Sequence, residues 1–400
     1  MLKPKYRFPE FQEDWLQTSL GEVVEENLEP IPMPKNGYTR VGIYCHAKGT
    51  FQEYVPEGKG LDVDTMYVVH KDNLIVNITF AWEHAIAITK EEDEGKIVSH
   101  RFPTYKFKEG QIPAFYKYLI LDKRMEYNLM VASPGGAGRN RVLNKEQFLQ
   151  IPIKHPSITE QQKISDFLSC IDSKIKNQEQ IVKDYEDMKK GLIQKLFSQQ
   201  IRFKKQDGSN YPDWVENTIG NLCKIQKGAP LTKADISENG TPFILYGELY
   251  TTYKEITYDI ARVTNKKVDE KYYSKVGDVI IPTSGETPEE ISTATCIMKD
   301  GVILAGDLNI YRSQTLDGRY FSYIMNHLKK YEVAKIAQGI SIIHIQANQI
   351  SKIKIPVPDL EEQQKIADFL YTYDLKISKE QQILEEYKTL KKALLQQMFP

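Results

Sequence analysis

From Ile164 onward, apolar residues recur at alternating spacings of four and three: Ile164, Leu168, Ile171, Ile175, then Val182, Tyr185, Leu192 and Leu196. That period of 3.5 is the seam of a coiled coil. The pattern is written a second time, as Ile366, Leu370, Tyr373, Ile377, Leu384, Tyr387, Leu394 and Met398, each 202 positions after its first copy. The polar breaks fall at equivalent places too, Gln178 with Glu380 and Lys189 with Lys391. A defect shared by two seams points to a shared partner, most simply each other. Residues 157–197 and 359–399 therefore predict two helices, each roughly 55 to 60 Å long at about 1.5 Å per residue. Pro156 and Pro358 end whatever precedes them, and Ser157-x-x-Glu160 and Asp359-x-x-Glu362 have the spacing of capping boxes.

Outside the helices the pattern changes to short apolar runs between polar turns. In the first half these are Tyr67-Val68-Val69, Leu74 to Ile78 and Ala85 to Ile88; in the second, Phe243 to Gly247, Gly277 to Ile281, Thr295 to Met298 and Val302 to Leu304. Such runs predict a compact β-rich body in each half. Each body closes with a predicted helix, 114–130 and 320–338, and a glycine turn. The opening segments repeat as well. Phe8-Pro9-Glu10-Phe11 is similar to Tyr211-Pro212-Asp213-Trp214, and Trp15 to Gly21 is similar to Trp214 to Gly220. The chain reads as two half-chains in tandem, of class α+β: a β-rich domain at 1–150, a long helix at 151–200, a second β-rich domain at 201–354 and a second long helix at 355–400.

A length of 400 residues suits two domains plus the helices. The first residues lack an apolar signal core and no stretch reaches the roughly 18 apolar residues a membrane span requires, so a cytoplasmic protein is expected. Cys45, Cys170, Cys223 and Cys296 have no CxxC spacing, which argues against a disulfide framework or a zinc site. There is no GxxxxGK[ST] phosphate loop, no strand-borne GxGxxG, no GxSxG and no HExxH. Catalysis by this chain is not expected. The net charge of −1 matters in the same way: a chain gripping nucleic acid alone would carry a basic excess, so any such affinity must come from local patches or a partner.

What remains is polar and loop-borne. Arg139, Asn140 and Arg141 follow the glycine turn of the first half, and Ser341, His344, Gln346 and Asn348 occupy the equivalent stretch of the second. Lys48 and Thr50 stand at a turn of the first body, Ser284 and Thr287 in a loop after a strand of the second. Arg, Asn and Gln can make paired hydrogen bonds to base edges, while Lys, Ser and Thr hold phosphates. Polar loops are also the ordinary surface of any protein.

The twin Pro-x-x-x-Glu-Gln-Gln-Lys-Ile-x-Asp-Phe-Leu segments, Pro156 to Leu168 and Pro358 to Leu370, resemble the conserved regions of type I restriction-modification specificity subunits. So do the Trp-x-x-x-x-Leu/Ile-Gly openings and the overall length. The resemblance implies that each β-rich body is a target recognition domain reading one half of a bipartite DNA site. It implies that the long helices pack as an antiparallel coiled coil with pseudo-two-fold symmetry, and that their length sets the gap between half-sites. It further implies two methyltransferase subunits carrying S-adenosylmethionine and methylating adenine, and two motor-nuclease subunits using ATP and Mg, with no cofactor on this chain. A coiled-coil scaffold that never meets DNA is the alternative reading.

Overall fold

The computed structural model describes residues 3–135, 141–337, 339 and 343–400. The long helices are continuous, Ile158–Phe197 and Leu360–Met398. The chain forms two compact units, and each contains part of both helices: Met1–Glu179 with Gln382–Pro400, and Gln180–Gln381.

In the first unit the opening strand Leu16–Ser19 pairs antiparallel with Pro152–His155, the strand that leads into the helix. A four-stranded sheet follows in the order Val24–Glu26, Thr104–Phe107, Leu74–Val76, Ile86–Ile88. A five-stranded sheet built around the hairpin Tyr38–Ile43 and Thr50–Val55 completes the body. The second unit repeats the plan. Val215–Thr218 pairs with Lys354–Val357, and the main sheet runs Lys224–Lys227, Leu308–Arg312, Asp278–Pro282, Thr295–Ile297, Ile256–Thr257. A further sheet of this unit has three strands, Arg262–Thr264, Thr241–Leu245 and Ile303–Ala305. The opening and closing strands are thus partners in both halves. This pairing brings each body back to the start of its own long helix.

The closing helices differ from the single helices expected. The first is broken into Pro113–Leu119 and Lys123–Val131, because the Asp122 carboxylate accepts the amide of Arg124 at 2.7 Å and starts a new helix there. The second passes from Gly318–Tyr323 through a π turn at Ile324–Leu328, where the Lys329 amide reaches back to the Ile324 carbonyl, into Lys330–Ile336. That turn satisfies the backbone while rotating the next helix onto a new face.

Each core is completed by helix residues. In the first unit Trp15, Phe115 and Phe148 are buried with Ile164, Leu168 and Ile171 of the first helix and with Leu394, Met398 and Phe399 of the second. In the second unit Tyr320 and Phe321 pack with Ile366 and Leu370 of the second helix and with Ile193, Leu196 and Phe197 of the first. Within each unit the helical segments run antiparallel, since partners of rising number face partners of falling number. Asp172 and Glu179 meet Lys391 and Lys388 in one; Glu186 and Lys189 meet Gln381 and Asp374 in the other. Of the expected seam residues, Tyr185, Leu192, Tyr373, Tyr387 and Ile175 are half-buried and the rest are buried.

The breaks in the seam now have a physical role. Lys391 pairs with Asp172 at 2.6 Å, and Asp172 also accepts from Tyr118 Oη and Lys117 Nζ at 2.9 Å. The repeat places Lys189 against Asp374, which also accepts from Tyr323 Oη. An aspartate of each helix therefore neutralises a lysine of the other. Although its burial works the other way, Asp172 is held below the usual carboxylate range by Lys391 and Lys117.

Candidate nucleic-acid interface

The repeated Glu-Gln motif fixes each body to its helix. Both Glu160 oxygens accept from Arg7, at 2.8 and 2.7 Å, and Trp15 Nε1 approaches Oε1 at 3.3 Å. Glu362 repeats this with Arg202, at 3.1 and 2.8 Å, and with Trp214 Nε1 at 3.0 Å. These glutamates were expected to cap their own helices. Their oxygens are instead spent on an arginine fork, because a buried carboxylate needs a paired cation more than the helix end needs a cap. The next residue clamps the closing helix: Gln161 Oε1 accepts the Ile112 amide at 3.0 Å, and Gln363 Oε1 the Asp317 amide at 2.8 Å. Phe8 then packs edge-on against Phe167, and Phe203 against Phe369. The counterpart of Phe8 is therefore Phe203, preceded like it by the anchoring arginine, and not the Tyr211 that sequence matching paired with it. A small turn bridging Lys204 to Asn210 lengthens the second link and shifts the register.

With the bodies anchored alike, their exposed loops differ at one shared place. In both, the segment after the closing helices pairs with the loop that follows a central strand. The Leu143 amide donates to the Ile78 carbonyl at 2.8 Å, and the Ile345 amide to the Thr283 carbonyl at 3.0 Å. In the first body this sets Arg141 over the Trp82 ring, 5.6 Å from its centroid. In the second it pairs Ser284-Gly285 with Ile343-His344 and lines a cleft of 590 Å³ with His344, Gln346, Asn348, Gln226 and Lys227. A neighbouring cleft of 950 Å³ shares Lys227, Thr283 and Asp307 with it.

The candidate residues separate by exposure. Lys48, His344, Gln346 and Asn348 are exposed, and Arg141 is half-buried against Trp82. Thr287 is exposed, but its hydroxyl caps the short helix Pro288–Ile291 by accepting the Glu290 amide at 3.2 Å. Two residues are withdrawn from the surface. Thr50 is buried and donates to Asp93 at 2.6 Å, and Ser284 is buried and donates to Asp307 at 3.2 Å. Each satisfies a carboxylate of its own body, where it offers no hydroxyl to a phosphate. Arg139, Asn140 and Ser341 lie outside the described residues. Sequence reading passed over Trp82, Gln226 and Lys227, which have no motif and become neighbours of the candidate loops only through the sheet.

This is the geometry of a recognition protein: one scaffold built twice, the same anchors, and different polar loops at the same position. Among the described residues no group of His, Cys, Asp and Glu is arranged to hold a metal ion. Burial pushes the Cys223 thiol up to about 12 and the Cys296 thiol higher still, so neither is poised as a thiolate. No helix among the described residues is long and apolar enough to cross a membrane.

Residues 12–183 and 211–389 match the family described as "Type I restriction modification DNA specificity domain", and the chain belongs to that family. It is similar to the putative type I restriction enzyme MjaX specificity subunit of Methanocaldococcus jannaschii, 24% identical over 98% of this chain and 94% of that one. It is also similar to the type I restriction enzyme MjaVIII specificity subunit of the same organism, 24% identical over 70% of this chain and 68% of that one. The crystal structure of the type I restriction-modification system S subunit from M. genitalium shares the fold, with a TM-score of 0.59 and 15% identity over 100% of this chain and 99% of that one. The chain is thus a type I specificity subunit, as the Glu-Gln-Gln-Lys-Ile repeats led one to expect.

Proposed function

We propose that each β-rich body reads one half of a bipartite DNA site, within 1–150 and 201–354, and that the helices within 151–200 and 355–400 set the gap between the halves. Two methyltransferase subunits carrying S-adenosylmethionine then act on adenine in the half-sites, and two motor-nuclease subunits supply ATP- and Mg-dependent cleavage, in the cytoplasm. One observation carries this reading: the anchoring contacts repeat residue for residue, while the loops held at the equivalent place do not. A plain scaffold would have no use for that divergence. Arg141, Lys48 and Thr287, with His344, Gln346 and Asn348, are the proposed contacts of the two bodies. The near-neutral charge fits, because partner subunits would share the phosphate contacts.

The test is to co-express the chain with the methyltransferase subunit encoded beside it and sequence the host DNA for modified adenines. A single gapped motif, methylated only when both chains are present, is the expected result. Methylation without this chain, or none with a competent partner, would reject the reading in favour of the scaffold.

A further inference from the structure

The larger cleft of the second body contains an arginine held differently from four other arginines of the chain. Arg7, Arg202, Arg312 and Arg319 each place both Nε and Nη2 on a carboxylate, which uses up the fork. Among the described residues Arg262 makes a single side-chain hydrogen bond, from Nε to Glu248 Oε1 at 2.6 Å. Glu248 is itself fixed: its side chain is 7% exposed, and its other oxygen accepts the Leu245 amide at 2.9 Å. The Arg262 side chain is 39% exposed and lines the 950 Å³ cleft with Lys227, Thr232, Tyr246 and Tyr250. A buried, backbone-held carboxylate thus holds, through Nε, a half-exposed guanidinium that lines the cleft and leaves its Nη1 and Nη2 edge unused by Glu248.

That arrangement suits a base better than a phosphate. Glu248 cancels the charge of Arg262, which weakens any pull on the DNA backbone, whereas the two parallel N–H groups left over match the O6 and N7 acceptors of guanine in the major groove. We infer that Arg262 reads one guanine in the second half-site and that Glu248 is its positioning residue. This rests on the reading of the second body as a DNA reader.

The test compares the methylation motifs written by the wild-type chain and by Arg262→Ala, Arg262→Lys and Glu248→Gln, each co-expressed with the methyltransferase subunit. The first half-site serves as the internal control for folding and assembly. Wild-type should require a G·C pair in the second half-site, and both Arg262 variants should relax that one position by roughly 10- to 100-fold, the worth of a bidentate pair. Lysine keeps the charge but not the fork, so it should not restore the preference. Glu248→Gln should relax the same position by less. A second half-site without a G·C pair, or relaxation at no single position, would overturn the inference while leaving the bipartite motif intact. Uniform weakening in Arg262→Ala that lysine rescues would make the residue a phosphate contact and overturn it as well. Absence of any gapped motif with the wild-type chain would instead reject the reading on which it rests.

Discussion

Replacing Lys189 by methionine should destabilise the second unit far more than the same change at Lys391 destabilises the first. Lys189 is 9% exposed and stands between Asp374 and Glu255, with its Nζ 3.3 Å from Glu255 Oε1. Its removal leaves two largely enclosed carboxylates, 14% and 17% exposed, without their shared cation, and of the two His327 reaches Glu255, at 2.8 Å. Breaking a buried pair in this way costs on the order of 3 to 5 kcal/mol. Lys391 and Asp172 are 26% and 24% exposed, so water relieves the orphaned charge and the cost should fall to about 1 kcal/mol. Removing both partners, as in Lys189→Met with Asp374→Leu, should recover much of the loss. The pH dependence supplies a second readout. His327 and Lys189 hold the Glu255 carboxyl down, to about 2, against the opposing effect of burial. Its contribution is present above the unfolded carboxylate value of about 4.3 and is lost as pH falls through the folded one. The gap between wild type and Lys189→Met should therefore close in acid. Hydrogen exchange of residues 366–378 in the intact chain measures the local stability directly. A cost below about 1 kcal/mol at neutral pH, or a double variant as unstable as the sum of the singles, would refute the reasoning.

The neutral ring of His84 meets the Ile120 carbonyl through Nε2 at 2.7 Å, and burial lowers its pKa. The first unit should thus lose stability as pH falls below about 6.5 through the folded value. Asparagine tolerates the positive φ of 62° or less found in this region, 61° at His84 itself, so His84→Asn should remove that slope in pH-dependent hydrogen exchange. Inserting one heptad after Glu179 and another after Gln381 keeps the seam in phase and adds roughly 10 Å, which should widen the methylated motif by about three base pairs. An unchanged gap would count against the helices as the spacer. Exchanging residues 24–135 for those of a relative with another target should change one half-site only, and a change in both would show that the bodies do not read independently.

Much of the architecture was legible because it is periodic and repeated. The 3.5-residue period located both long helices, and the shared polar breaks matched them to each other. What the breaks do was not legible: Lys189 and Lys391 look like defects until Asp374 and Asp172 arrive from the other helix. The same holds for Glu160 and Glu362, whose spacing from Ser157 and Asp359 suggested caps. These buried glutamates instead took the guanidinium groups of Arg7 and Arg202, distant in sequence, as partners. Thr50 and Ser284 were candidates by residue type alone, and burial decided against them.

The sequence by itself determined the tandem plan, the two seams and the family, since each is carried by local spacing or by repetition. Only the tertiary structure decided which loops stand together, which polar side chains face water and which carboxylate holds each arginine. Those outcomes depend on strand pairing and on competition for buried partners between residues far apart in the chain. No local pattern encodes that competition, because a carboxylate's choice of partner is made only when the core excludes water around it.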